Sequence, residues 1–421
     1  MAPDAIARLG APLRQATIVS ATNGKTTTAG MIAAILAAQG RDPIHNRAGS
    51  NMTWGVATAL LDQKGQEGLF EVDEAWLPKV AAELDPGLIV LGNLFRDQLD
   101  RYGEVETLAD EWATLVGRRV GRTRFVLNAD DPLIADLGRD GESGRREGTV
   151  YFGIDDPSQA LPELQHASDA KHCRRCGHPY AYERAFVGHL GHYSCPDCGA
   201  ARPTPDLAAT EIELQGMSGS RSKVRLPDGG ELELSLPLPG LYNVYNALAA
   251  LGAAIELGVP AREAAAALGD VRAAFGRVET VAIGEKSVSI LLIKNPAGTN
   301  EVLRTLGLEA DEDGVDLWIA LNDGIADGRD VSWVWDADFE LLAGSVRRVT
   351  CAGTRAPEIA LRLKYAGWPE ESIAVEESIP ASLDRAVEDA PARLFALPTY
   401  TALLELRKLL SDRGLAKEFW R

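Results

Sequence analysis

Three clusters of residues have the types and spacing to do chemistry. Near the start, Thr17-Ile-Val-Ser-Ala-Thr-Asn-Gly-Lys-Thr-Thr-Thr28 runs an apolar strand through a turn into a helix opening at Lys25. Backbone N–H groups at such a helix start, with the positive end of its dipole, cradle phosphate oxygens. In that reading Thr22, Asn23, Gly24 and Thr27 shape the loop. Lys25 neutralises the β- and γ-phosphates of a nucleotide, and the Thr26 hydroxyl joins a Mg²⁺ shell. The plain alternative is a polar turn capped by threonines; the order strand, Gly-Lys-Thr, helix favours the phosphate loop.

The second cluster, Glu71-Val-Asp-Glu74, closes the next apolar run. One carboxylate plus Thr26 suits a Mg²⁺ that keeps water and phosphate oxygens as its other ligands, and Glu71 is the first choice. The alternative is helix capping by Asp73 and Glu74. The third cluster is Cys173-x₂-Cys176, an 18-residue gap, then Cys195-x₂-Cys198. Each pair forms a knuckle that aims two thiolates at one tetrahedral ion. Four sulfurs leave no open position, so the expected ion is a structural zinc. His172, His178, His189 and His192 are then superfluous as ligands and read as exposed loop residues. Cys351, alone in an apolar run, reads as core.

Parallel α/β units would position these clusters. Strands are expected at Thr17–Ser20, Leu69–Val72, Leu88–Leu91, Phe125–Asn128 and Val150–Phe152, with helices at Thr26–Gln39 and Val105–Val116. The texture breaks from about Asp156 to Asp206, where cysteines, histidines, Gly and Pro collect. That stretch is expected to bury little apolar surface and to need its metal to fold. Alternating strands follow at Glu211–Leu214, Lys223–Leu226 and Glu231–Leu236, then helices at Val244–Leu257 and Arg262–Leu268. Near Val278 the α/β rhythm restarts, with strands at Ser287–Ile293, Asp316–Leu321, Arg348–Cys351, Ile373–Val375 and Leu394–Leu397.

Composition narrows the function classes. The 421 residues carry 61 acidic and 43 basic side chains, a net charge of −18. That balance disfavours broad binding to a nucleic-acid backbone, which needs a basic footprint. A zinc-ribbon nucleic-acid or scaffold protein using ATP as a switch therefore fits poorly, despite Lys171, Arg174 and Arg175 beside the first knuckle. No apolar run approaches the roughly 20 residues of a spanning helix, and the start lacks the apolar core of a signal peptide. Paired CxxC motifs in place of a disulfide framework suit a reducing compartment, so the expectation is a cytoplasmic enzyme.

Several motifs together resemble the Mur ligase family: Ala21-Thr-Asn-Gly-Lys-Thr26, Asn128-Ala-Asp-Asp-Pro132, Gly240-Leu-Tyr-Asn-Val-Tyr-Asn246 and Phe275-Gly-Arg-Val-Glu279. Asn93–Glu104, Lys294-Asn-Pro-Ala-Gly298, Asp327–Asp336 and the cysteine ribbon resemble its lipid II isoglutaminyl synthase branch. The resemblance implies a central P-loop ATPase domain over residues 1–280, with the zinc ribbon inserted at about 165–205. A Rossmann-like α/β domain over 281–421 would follow, contacting the substrate and a partner. It implies an ATP-dependent amide ligase that activates the D-glutamate α-carboxylate of lipid II as an acyl phosphate. Ammonia from a GatD-like glutaminase subunit would then amidate it at the inner face of the cell membrane. An amino acid as nucleophile, as in other Mur-type or folylpolyglutamate-type ligases, is the alternative. Carried over, Lys25 and Thr26 hold phosphates and Mg²⁺, Glu71 the metal, Asn246 the adenine, and Arg277 reaches the nucleotide from the domain junction. A carboxylate of Asp327–Asp336 would complete the partner's Cys-His triad: Asp336 first, beside Trp333 and Trp335, and Asp330 second. Two departures from the family pattern stand out: Ala21 replaces a common Gly, and Gln98 replaces a metal-binding His.

Overall fold

The computed structural model describes residues 4–46, 50–97, 105–141, 144–166, 168–271 and 278–416. The chain divides into two compact units, one of Met1–Arg96 with Tyr102–Arg272 and one of Asp97–Arg101 with Ala273–Arg421.

In the first unit, nine strands among the described residues form one mixed sheet. Their order is Glu231–Leu236, Ser220–Arg225, Leu207–Leu214, Thr149–Ile154, Arg124–Asn128, Leu88–Leu91, Gln15–Ser20, Glu67–Glu71 and Ile44–His45. Neighbours from Leu207–Leu214 onward run parallel, while the first three strands pair antiparallel. The central strands are buried on both faces, which is why they read as unbroken apolar runs (Ile18, Phe70, Ile89 and Leu127 are all solvent-free). In register, Thr17 lies between Leu69 and Leu88. The carboxyl ends of these three strands therefore lie side by side, the place where loops of a parallel sheet do chemistry.

Helix Lys25–Ala38 packs against helix Leu241–Glu256. Ala247, Ala250, Ala253 and Ala254 are fully buried, and their small side chains permit close approach. The second helix starts three residues earlier than expected, directly after Gly240, because Leu241 and Val244 both enter the core.

The cysteine-bearing stretch departs from expectation. It contains a hairpin, Ala181–Val187 with Leu190–Ser194, and its apolar residues are inside. Phe186 and Leu190 are buried, and Ala170 and Tyr193 belong to the main core beneath the sheet. Tyr180, Tyr182 and Tyr193 stack edge to face or tilted, with ring centroids 5.0–6.5 Å apart. Three tyrosines and a Phe supply the burial that a count of aliphatic residues misses.

The second unit holds, among the described residues, a six-stranded sheet. Its order is Val278–Ile283, Lys286–Leu291, Arg393–Pro398, Val315–Ala320, Val346–Ala352 and Ile373–Val375. The first pair is antiparallel and the rest parallel, with helices between successive strands. Trp318 is wholly buried, its indole donating to Ser382 Oγ at 3.0 Å. Cys351 is core, as expected. No described helix is long and apolar enough to cross a membrane.

Candidate functional site

The turn after Gln15–Ser20 is built around Gly24, whose φ of +91° is open to glycine and costly to other residues. A Cβ at this position would lie 2.0 Å from Asn246 Oδ1. Asn246 in turn accepts from Thr28 Oγ1 at 3.3 Å and donates to Asn243 Oδ1 at 3.0 Å. Asn246 is thus brought directly against the loop. Gly24→Ala combines backbone strain with that clash and is expected to destabilise by at least about 1–2 kcal/mol. Urea unfolding checks it; a midpoint equal to the parent's would contradict the crowding described.

Lys25 opens the helix and is buried. Its Nζ donates to Ala21 O at 2.6 Å and pairs with Glu74 at 2.7 Å. Burial alone would depress this ammonium, but the carboxylates of Glu74, Asp73 and Glu71 outweigh it and hold the pKa above the ordinary lysine value. Of the two readings of Glu71–Glu74, helix capping fails for Glu74: helix Leu77–Leu84 has no side-chain cap, and Glu74 is spent on Lys25. Asp73 does make a local turn bond, accepting from Ala75 N at 3.2 Å. Glu71 is buried beside Asn51, whose Nδ2 lies 3.4 Å from its Oε1. The sequence points to Glu71 as the metal carboxylate, with capping by Asp73 and Glu74 as the alternative, and assigns Glu74 no contact with Lys25. A Gly-Lys-Thr lysine on one strand end and a carboxylate on the adjacent end was the available signal.

The wall of the loop comes from the end of Leu88–Leu91. Thr22 N donates to Asn93 O and Asn23 N to Asn93 Oδ1, both at 2.9 Å; Asn93 Nδ2 returns a bond to Asn23 O. Phe95 N donates to Thr22 Oγ1 at 3.0 Å. Asp130 and Asp131, quoted above only as part of a motif, are solvent-free structural hubs. Asp131 caps the short helix Pro132–Ala135 and accepts from Leu94 N. Asp130 accepts from Tyr245 Oη at 2.6 Å and Ile154 N at 2.9 Å, and pairs with Arg202. An Asp before Pro at a helix start carries that capping signal in sequence.

The four ribbon cysteines converge, with all ligand atoms within 4.8 Å of one another. Gly177 N donates to Cys173 O and Gly199 N to Cys195 O, closing two matching knuckles. Burial would push the Cys173 thiol up, but N–H groups of Arg175 and Cys176, with the Tyr180 hydroxyl, bring it down to about 7. Four converging sulfurs with N–H donors aimed at a thiolate fit a thiophilic ion. Among the histidines, His189 corrects the expectation of exposure. It is solvent-free at the hairpin tip, its ring 4.5 Å from that of Phe95 and its Nε2 3.5 Å from Asp131. A hairpin turn packed onto the sheet leaves its tip residue no route to water.

In the second unit, the acidic segment divides by role. Asp327 is buried and accepts from Thr401 N, Thr401 Oγ1 and Gly324 N. Asp330 is exposed and accepts from Ser332 N at 2.8 Å, a local turn bond ahead of the short helix Ser332–Trp335. Asp336 follows that helix. Trp335 is 48% exposed and meets the 72%-exposed Tyr365 edge on, with the Arg362 guanidinium over its ring. Val334 is the anchor beneath. Arg277 and Gln98 lie outside the described residues.

Residues 19–194 match the Mur ligase middle domain, and residues 292–403 match the MurT ligase C-terminal domain. The MurT subunit of the glutamine-hydrolysing lipid II isoglutaminyl synthase of Streptococcus pneumoniae is 33% identical over 95% of this chain and 88% of its own. The corresponding subunit of Staphylococcus aureus is 30% identical over 97% and 90%. Among solved structures, a pseudomurein peptide ligase type C from Methanothermus fervidus superimposes with a TM-score of 0.71 at 22% identity, covering 95% of this chain and 79% of that one. MurF from Acinetobacter baumannii gives 0.68 at 16%, covering 97% and 78%. The fold is that of the Mur ligases, a class of ATP-dependent ligases. The chain belongs to this family, in its MurT branch.

Proposed function

We propose that this chain is the synthetase subunit of a lipid II isoglutaminyl synthase in peptidoglycan biosynthesis. It activates the D-glutamate α-carboxylate of lipid II with ATP and amidates it with ammonia. The observation that carries this reading is Lys25, buried at the helix start among the carboxylates of Glu71, Asp73 and Glu74. One ammonium facing hard oxygen donors suits a nucleotide triphosphate and its Mg²⁺. Glu71 and Thr26 would hold the Mg²⁺, whose contribution is to offset charge on the transferring phosphoryl group. Thr22–Thr27 would cradle the phosphates, with Asn246 toward the nucleoside. As the substrate carboxylate attacks the γ-phosphate, Lys25 stabilises the charge that grows on the equatorial oxygens. Ammonia then displaces phosphate from the acyl phosphate.

Ammonia must come from elsewhere. Four of the five cysteines cluster in the ribbon, and Cys351 is solvent-free, its thiol pushed up to about 12 by burial. A buried, protonated thiol is no nucleophile. A GatD-like glutaminase subunit is the proposed source, docked where Trp335 and Tyr365 expose their rings, with Asp336 serving its active site. The complex would act in the cytoplasm at the inner membrane face.

ADP release tests the activity: lipid II plus ammonium should support it, and lipid II plus free amino acids should not. Release driven by an amino acid would move the chain to the peptide-forming ligases. The ribbon is proposed to hold one structural zinc through Cys173, Cys176, Cys195 and Cys198. Metal analysis of protein purified without chelator should find zinc near one per chain, and Cys198→Ser should lose it. Protein free of zinc would remove the ribbon reading.

A further inference from the structure

Between the ribbon and the nucleotide loop runs an unbroken set of contacts. The second knuckle begins at Cys195, directly after strand Leu190–Ser194; the tip of that hairpin, His189, lies at its other end, about 20 Å away at 3.4 Å per residue. The first knuckle begins at Cys173, four residues after Asp169. These two ends meet: Asp169 N donates to His189 Nδ1 at 3.3 Å, and Tyr182 Oη donates to both His189 O and Ala170 O. Both then grip one segment. Asp169 accepts from Arg96 N at 2.8 Å and from the Arg96 guanidinium, while the His189 ring packs on Phe95. That segment forms the wall of the loop, joined to Thr22 and Asn23 by five hydrogen bonds.

We propose that the cysteine ribbon sets the shape of the nucleotide loop, with Asp169 and His189 as positioning residues that act through Asn93–Arg96. The physical ground is a difference in stiffness. The loop backbone at Thr22 and Asn23 takes its outward hydrogen bonds from Asn93, and Asn93–Arg96 is itself irregular chain with no strand neighbour of its own. Irregular backbone holds a fixed course only where side chains or packed elements fix it. Asp169 is 7% exposed at its side chain, so its two bonds to Arg96 are charge-assisted and shielded from solvent. Loss of the ion from the knuckles would release the anchors at Cys195 and Cys173, from which the hairpin strand and the Asp169 strap run to Asn93–Arg96. The ribbon thus acts on nucleotide binding at a distance, without touching the nucleotide.

The proposal rests on the reading of Thr22–Thr27 as a nucleotide loop only for its second readout. The first is hydrogen exchange of peptides spanning Thr17–Thr28 and Gly92–Asp97, in the full chain with its zinc. Asp169→Asn removes the charge and keeps the shape. It is expected to keep parental zinc content, to speed exchange in both peptides, and to weaken MgATP about tenfold, the loss of one charge-assisted bond. Asp169→Glu should recover part of both. Chelation of zinc from the parent should speed exchange in the same peptides, with a smaller added effect in Asp169→Asn. Should Asp169→Asn fold poorly, Arg96→Gln breaks the same link from a side chain that is 35% exposed. Exchange in the two peptides unchanged by Asp169→Asn, or by Arg96→Gln in its place, overturns the proposal. A parent that binds no MgATP overturns the nucleotide-loop reading instead, and the exchange result still decides the link.

Discussion

Lys25→Ala is expected to abolish ATP-dependent amidation, a fall of at least about 10³-fold of the size seen when a preorganised charge is removed from a transition state. Two effects act in the same direction. The ammonium no longer offsets charge on the transferring phosphoryl group, and buried Glu74 loses its ion pair with Lys25. Removing one partner of a buried ion pair costs about 3–5 kcal/mol, so instability would mimic lost catalysis. The double variant Lys25→Ala with Glu74→Gln separates the two, since it removes the stranded charge and restores folding. It should unfold at a temperature near the parent's and remain inactive in ADP release with lipid II and ammonium. Activity recovered in the double variant would show that Lys25 serves the fold and not the chemistry.

The second large effect is expected at Asp336. A glutaminase Cys needs a His base, and that His works best when a carboxylate fixes its tautomer and stabilises its imidazolium. Asp336 sits one residue beyond an exposed Trp335 that meets exposed Tyr365 edge on, and is itself half-buried. Asp330 accepts from the amide of Ser332, which holds its carboxyl below the usual range and ties it to its own turn. Asp336→Asn should therefore cut glutamine-dependent amidation by up to about 10⁴-fold, the scale of losing a triad carboxylate. The reaction driven by added ammonium and the binding of nucleotide should stay at parental levels. Equal loss with glutamine and with ammonium would place Asp336 in the ligase chemistry. Full activity with both would leave the triad role to Asp330→Asn as the next variant.

Much of the fold was readable because parallel strands buried on both faces leave a plain trace. Leu88–Leu91 falls where its apolar run places it, and Glu231–Leu236, an antiparallel edge strand buried on one face, where its alternation does. The hairpin Ala181–Val187 with Leu190–Ser194 was not readable. Its core is made by tyrosines and a Phe among charged residues, so a reading keyed to aliphatic alternation sees only loop. His189 was misplaced for the same reason. The four ligand sulfurs were legible because CxxC spacing is a geometric demand of one ion, independent of what surrounds it. Glu74 shows the opposite case. Its partner Lys25 lies 49 residues away on the neighbouring strand end, and only strand order reveals that the two meet.

This chain is proposed to turn a carboxylate of lipid II into a carboxamide at the expense of ATP, with nitrogen delivered by a partner. Mass spectrometry of lipid II tests it most directly, after incubation with ATP, the chain, a GatD-like glutaminase and glutamine labelled with heavy nitrogen in its amide. The account predicts one labelled carboxamide on the D-glutamate residue, formed only when ATP and both proteins are present. Unchanged lipid II in the complete mixture and with ammonium alike, or a new amide linking an amino acid instead of ammonia, would contradict it.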